Sequence, residues 1–288
     1  MRLRFHLTLA LLTILRSVPS LAQGQASKPA FLADVVSSVM KASSTGRTYQ
    51  VSVALPDGYS KQHAPYAVLY AADANPEFGT VVETARVFAE IPGLVIVGIG
   101  YPNSGQGFAW VPRALDLTTT PDPKAPGTNG GAAEFLRFIR NDLVPYIEGT
   151  YNVNQDRAWF GHSFGGLFGI YALFNNDGLF KRFIIGSPSL WQGSQTIQEA
   201  EKSFATTGKP LPAKVFFSVG LLEQNGNGPG MVGDLRAFIG KLEQRHYKDL
   251  EYQVHYFEDE THLSVIPATI GRGLRYIYAP PSPPAPRK

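Results

Sequence analysis

Gly161-His162-Ser163-Phe164-Gly165 sets a serine between two glycines at the G-x-S-x-G spacing. That spacing suits a nucleophile elbow, a strained strand-to-helix turn that lifts a serine hydroxyl clear of its neighbours. Side chains two residues to either side would collide with backbone there, so glycine is the residue that fits. The pattern alone is common, and its setting gives it weight. Arg157 to Phe160 reads as a short buried strand, and Phe164 to Phe174 as a helix that is apolar and small on all sides. The competing reading is a glycine-rich packing turn with an incidental serine.

A serine hydroxyl needs a base to take its proton, and imidazole suits neutral pH. The chain has six histidines. His6 lies in an apolar leader, His162 flanks the serine and points away from it, and His63 precedes a strand at its far end. His246 ends a charged helix and His255 lies inside a strand. His262 alone follows a strand's carboxyl end, in the loop Glu258-Asp259-Glu260-Thr261-His262. A carboxylate must then fix the imidazole tautomer. Glu223 falls just beyond the strand Lys214–Val219, in the chain order Ser, acid, His that an α/β-hydrolase would have. Asp234 and Asp259 are the rival acids. Two donors should hold the oxyanion. One is the backbone N–H of Phe164. The other is expected from Ala72 to Pro76, with Asn75 preferred and Ala74 second.

These residues require elements to position them. Tyr66–Ala71 and Leu94–Ile99 are continuous apolar runs, as central strands buried on two faces would be. Arg47–Leu55 alternates polar and apolar and reads as a half-exposed edge strand. Arg182–Ile185, Lys214–Val219 and Tyr252–Phe257 read as further strands. Val81–Ile91 and Ala132–Ile147 read as helices, and Met231, Leu235, Phe238 and Leu242 mark one face of another. Strand alternating with helix predicts an α/β fold, a mostly parallel central sheet with helices on both faces. Ligands of such folds sit at the carboxyl ends of the strands.

Composition narrows the function. Arg2 and Arg4, the apolar run Phe5–Leu15 and the small-x-small site Ser20-Leu21-Ala22 resemble a secretory leader. An uncleaved anchor is the other reading. The chain carries 26 Lys+Arg and 23 Asp+Glu. Residues 1–22 hold Arg2, Arg4 and Arg16 and no acid, so removing three bases leaves 23 of each sign. The basic balance belongs to the leader and is no footprint for nucleic acid. The absence of cysteine excludes a thiol nucleophile and thiolate metal sites. Metalloprotease and D-x-D-x-D patterns are absent, Gly98-Ile99-Gly100 lacks the third dinucleotide glycine, and residues 220–233 lack the P-loop ending. No metal or cofactor is expected. The expected organisation is a leader (1–22), a lead-in (23–44), a hydrolase domain (45–278) and a Pro-rich tail (279–288).

Several stretches together resemble the “putative esterase” branch of the α/β-hydrolases, related to esterase D. They are Tyr49–Tyr59, Val97–Tyr101, Arg113–Thr118, Gly130–Leu136, Phe160–Phe168, Ser187–Trp191, and Gly220 with Glu223. Within that branch the chain is most similar to siderophore trilactone esterases of the enterobactin/salmochelin and bacillibactin types. Where the branch has Asp-Gly after its first central strand, this chain has Asp73-Ala74. The resemblance implies a Ser163–His262 core with Glu223 at the acid position. It also implies that Arg113 and Trp191 face the substrate, Arg113 pairing with an anionic catecholate and Trp191 stacking on a ring. The plainer alternatives are an Arg113–Asp116 pair and a packed Trp191.

The expectation is a periplasmic or secreted serine esterase, a monomer with no membrane span after processing, acting on a small-molecule ester. The alternatives are a carbohydrate or feruloyl esterase, a broad short-chain carboxylesterase, and a non-catalytic binding protein on a hydrolase scaffold.

Overall fold

The computed structural model describes residues 32–224 and 230–278. The leader, the tail and most of the Gly226–Gly230 loop lie outside the described residues. Eight strands form one sheet: β1 (Val35–Lys41), β2 (Thr48–Ala54), β3 (Tyr66–Ala71), β4 (Leu94–Gly100), β5 (Val153–His162), β6 (Arg182–Gly186), β7 (Ala213–Gly220) and β8 (Leu250–Phe257). Their order is β1-β2-β4-β3-β5-β6-β7-β8. β2 is antiparallel to both its neighbours, and every pairing from β4 to β8 is parallel.

The helices are α1 (Ala74–Val87), α2 (Trp110–Leu117), α3 (Ala132–Phe138), α4 (Val144–Thr150), α5 (Phe164–Asn175), α6 (Leu190–Thr206), α7 (Gly230–Arg245) and α8 (Val265–Tyr278). A π-helical turn, Ile139–Leu143, joins α3 to α4. It comes just before Pro145, whose missing N–H and bulky ring do not suit an ordinary helical turn.

Two-residue alternation divides the strand side chains between two cores. Leu69, Ala71, Ile96, Phe160 and Ile184 pack with Phe78, Val81 and Val82 of α1 and Ile270, Leu274 and Ile277 of α8. Val68, Tyr70, Trp159 and Phe217 face the other way, toward Phe135, Phe168, Ile197 and Leu235. β3 to β7 are buried on both sides, so their sequences run apolar without alternating.

Two expectations are corrected. Arg47–Leu55 is not the edge, because β1 pairs along its whole length from Val35↔Ala54 to Lys41↔Thr48. The sheet therefore starts inside the stretch read as a lead-in. β1 is thinly covered, with Val36 and Val39 exposed, so its sequence gives little hydrophobic signal. Helix α1 begins at Ala74 rather than Val81. Asp73 takes a left-handed conformation (φ 50°) that turns the chain out of β3 into the helix without a loop.

Candidate active site

The site starts from the backbone at the end of β5. Ser163 holds φ 59° and ψ −116° between β5 and α5, a strained conformation for a residue with a side chain. A Cβ on Gly161 would lie 2.2 Å from the Gly165 carbonyl oxygen, so only glycine permits the turn. The Ser163 N–H is held by the Gly186 carbonyl at 3.0 Å, which ties the elbow to β6. Phe164 opens α5, and its N–H is one of those a helix leaves unpaired at its start.

Two loops deliver the partners. β7 runs into a single 3-10 turn, Leu221–Gln224, that carries Glu223. β8 ends at Phe257, and a turn through Asp259 (φ 58°) brings His262 back over the sheet. The Leu222 N–H donates to the Glu260 carbonyl at 3.1 Å, so the two loops are stitched together. A Cβ on Gly220 would sit 2.3 Å from that same Glu260 oxygen, which makes glycine obligatory where the loops meet.

The result is a continuous line of hydrogen bonds. His262 Nε2 is 3.0 Å from Ser163 Oγ, and His262 Nδ1 is 2.7 Å from Glu223 Oε2. Glu223 Oε1 accepts from Gly220 N–H at 2.8 Å and Ser187 Oγ at 2.7 Å. The Glu223 side chain is 3% exposed and that of His262 is 37% exposed. The imidazole thus meets solvent while its carboxylate stays dry. The rival acids stand aside: Asp234 is in α7 and Asp259 shapes the turn. His162 is buried with its ring 4.6 Å from that of His262. Burial, and then the neighbouring His262, push its pKa well below the usual histidine range, so it is neutral there.

The opposite side of the elbow is built on Arg113. Its guanidinium donates to both carboxylate oxygens of Asp73, Nε to Oδ1 and Nη2 to Oδ2, each at 2.7 Å. Both side chains are 1% exposed. The guanidinium carbon also lies 5.0 Å from the Phe164 ring centre and 5.3 Å from that of Trp110. The carboxylate of Glu77, one turn along α1, is buried beside the pair, its two oxygens without a hydrogen-bond partner among the described residues. Burial and then Asp73 raise its pKa well above the usual carboxylate range.

Two expectations for this side are corrected. Arg113 is buried, with Nε and Nη2 both given to Asp73 rather than turned to solvent. Nor does it pair with Asp116, which binds Arg47 at 2.6 Å. The Asn75 side chain is also spent elsewhere. Its Oδ1 accepts from Tyr101 N–H, and its Nδ2 donates to the Tyr101 and Gly105 carbonyls. It braces the end of β4 rather than the elbow. A Cβ built on Gly165 would meet Ala72 at 3.2 Å and Asp73 at 3.7 Å, so those residues border the elbow helix. Trp191 is 62% exposed, with its ring 6.0 Å from that of Phe164, and Trp110 is 65% exposed.

Ser187 and Ser189 were legible in the sequence only as part of the stretch Ser187–Trp191, not as the hydrogen-bonding groups they are. Nor did the sequence mark Asp73 as a partner of Arg113. The available signal was position, since all three follow the carboxyl ends of strands. Among the described residues no cluster of three His, Asp or Glu side chains could hold a metal ion.

A mixed sheet covered on both faces, with a serine on a strained turn at the carboxyl end of a central strand, defines the α/β-hydrolase class. Comparison with known proteins agrees. The chain belongs to the family described as “Putative esterase”, whose model matches residues 42–264. It is 31% identical to the ferri-bacillibactin esterase BesA of Bacillus subtilis, over 85% of this chain and 90% of that one. It is 36% identical to the siderophore triacetylfusarinine C esterase of Aspergillus fumigatus, over 57% of this chain and 59% of that one. Among solved structures, the BES protein from Bacillus cereus superposes with a TM-score of 0.79 at 28% identity, covering 88% of this chain and 98% of that one. Siderophore hydrolase EstB from Aspergillus nidulans gives 0.77 at 25% identity, covering 91% of this chain and 100% of that one. The chain is an esterase, which removes the reading of a binding protein on a hydrolase scaffold. No helix among the described residues is long and apolar enough to cross a membrane.

Proposed function

We propose that this esterase hydrolyses siderophore esters, trilactones among them, with Ser163 as nucleophile, His262 as base and Glu223 as the orienting acid. The observation that carries the reading is the unbroken line from Ser163 Oγ through both ring nitrogens of His262 to Glu223 Oε2, at 3.0 and 2.7 Å. The substrate class rests on the relatives, whose names specify bacillibactin, triacetylfusarinine C and enterobactin esters.

The chemistry follows from the geometry. Glu223 keeps the proton of neutral His262 on Nδ1, so Nε2 is free to accept. Ser163 gives its proton to Nε2 as Oγ bonds the ester carbonyl carbon, and the carbonyl electron pair moves onto oxygen. The Phe164 N–H and a backbone N–H at Asp73–Ala74 receive that oxyanion. Collapse expels the alcohol with the proton from Nε2. Water then repeats the sequence on the acyl-enzyme. The exposed ring of Trp191 lies beside Phe164, that of Trp110 beside Arg113, and both suit the aromatic groups of a catecholate. Arg113 contributes by holding the turn at Asp73. The leader-like segment supports export to the periplasm or the exterior.

The test compares turnover of an iron-free trilactone, its ferric complex, a feruloylated sugar and a short-chain nitrophenyl ester. Ser163→Ala is expected to abolish turnover of all of them, with thermal unfolding unchanged. Preferred turnover of the feruloylated sugar would replace the siderophore reading. Retained turnover in Ser163→Ala would remove the serine mechanism.

A further inference from the structure

The turn that leaves β6 carries two buried hydroxyls, Ser187 and Ser189, and the mechanism above uses neither. They reach opposite ends of the same line of hydrogen bonds. Ser187 Oγ donates to Glu223 Oε1 at 2.7 Å, and Ser189 Oγ lies 3.1 Å from Ser163 Oγ. The turn is tightly specified. Ser187 sits at φ 37°, a conformation that a residue with a side chain adopts only when its surroundings impose it. Its N–H donates to the Ser218 carbonyl at 2.8 Å. The Ser189 N–H donates to the carbonyl of Ser163 itself at 3.1 Å, so Ser189 is tied to the nucleophile through backbone as well as side chain.

Counting protons gives the contact a direction. The Glu223 carboxylate faces Nδ1 of His262 and keeps the ring proton there. Nε2 is then an acceptor, and the single proton of Ser163 points to it. A hydroxyl has one proton to give and two lone pairs to offer. With the Ser163 proton committed, the bond between the two serines has Ser189 as donor and Ser163 Oγ as acceptor.

Resting on the reading of Ser163, His262 and Glu223 as the working groups, we propose that Ser189 is a fourth catalytic residue, a hydrogen-bond donor to the nucleophile's own oxygen. In acylation the proton of Ser163 moves to Nε2 while the Oγ–carbon bond forms. Negative charge passes through Oγ in that interval, and the Ser189 hydroxyl donates to it. In deacylation water gives a proton to Nε2 and bonds the acyl carbon. The carbon–Oγ bond then breaks, and Oγ departs as the leaving group and recovers its proton from Nε2. Ser189 again faces the oxygen on which charge develops. Water is the only co-reactant. A donor to a charged oxygen is a stronger hydrogen bond than one between neutral groups, so the contact favours the transition states over the resting hydroxyl.

The test uses the full chain with a nitrophenyl ester and a fluorophosphonate probe, with rates normalised to the number of sites the probe labels at completion. Ser189→Ala is expected to lower both kcat and the second-order rate of phosphonylation by about 10- to 100-fold, with KM unchanged. Ser189→Cys, a weaker donor of similar size, should lose less and serves as the check if the alanine variant folds poorly. Wild-type rates per labelled site in either variant would overturn the proposal. So would a loss of labelled sites with the rate per site unchanged, the signature of a structural role. Ser163→Ala is run alongside. If it still turns over ester, the underlying reading fails and the proposal with it. If it is inactive while Ser189→Ala is as fast as wild type, the proposal alone fails.

Discussion

Glu223–His262 and Asp73–Arg113 flank the same elbow and are built to opposite ends. The first pair spans a dry carboxylate and a ring whose side chain is 37% exposed. The second is 1% exposed on both sides and bidentate. An imidazole changes protonation near neutral pH, whereas a guanidinium does not titrate in proteins. The exposed pair is suited to moving a proton, and the buried one to holding backbone still. Their supports differ in kind. His262 and Glu223 sit on loops joined by one backbone bond, Leu222 to Glu260. Asp73 stands between β3 and α1 and Arg113 inside α2, so regular elements fix both. Around one elbow, the groups to which the proposed mechanism gives proton transfer are on loops, and the buried ion pair is in the scaffold.

Substitutions can separate the two sides. The largest effect on catalysis is expected at Glu223. Glu223→Gln retains the donors Ser187 and Gly220 on one amide oxygen but presents an N–H to His262 Nδ1. The imidazole then carries its proton on Nε2 and cannot accept from Ser163. kcat is expected to fall by about 10⁴ while the melting temperature holds. A loss below tenfold would show that the acid does not set the tautomer.

Arg113→Ala should act on stability first. It leaves the Asp73 carboxylate buried without its partner, at a cost of about 3–5 kcal/mol by chemical denaturation. Activity should fall as well, because the turn at Asp73 borders the elbow helix. A variant with wild-type stability and a raised KM would instead place Arg113 in contact with substrate.

His162 links pH to stability. Its pKa is depressed in the folded protein by burial, then by His262. Above the ordinary value of 6.5 both folded and unfolded chains hold it neutral, and its contribution is fully present. Below that value the unfolded chain takes up a proton that the folded chain refuses. Stability is therefore lost as pH falls, by about 1.4 kcal/mol per pH unit from this one group. Unfolding followed from pH 7 to 5 should show the loss, and His162→Asn should flatten it. An equal slope in both proteins would assign the loss to other groups.

The smallest effect is expected at Trp191. Its ring is exposed, so Trp191→Ala should leave the melting temperature within a degree or two. KM for an aromatic ester should rise roughly two- to tenfold, the worth of one stacking contact. An unchanged KM for both aromatic and aliphatic esters would return Trp191 to simple packing against Phe164.

Much of this molecule was legible in the chain alone because it is local. Gly161, two residues before Ser163, encodes a turn that nothing but glycine permits. The apolar runs at Tyr66–Ala71 and Leu94–Ile99 declare strands buried on both faces, and Glu223 and His262 stood out as candidates because each follows a strand's carboxyl end. β1 escaped notice because an exposed edge strand needs few apolar residues. Side-chain pairing was a different matter. An Arg113–Asp116 pair was the plainer alternative to a substrate-facing Arg113, yet Asp73 holds Arg113 and Arg47 takes Asp116. Asn75 looked free for an oxyanion but braces Tyr101, and Ser189 gave no sign of touching Ser163. In each case the partner lies in a different element of the fold, and which elements adjoin is set by how the whole sheet assembles. Backbone preference is written residue by residue, so the sequence determined the elbow, the strands and the fold class. Which charges and hydroxyls meet depends on packing between distant segments, and only the tertiary structure decided that.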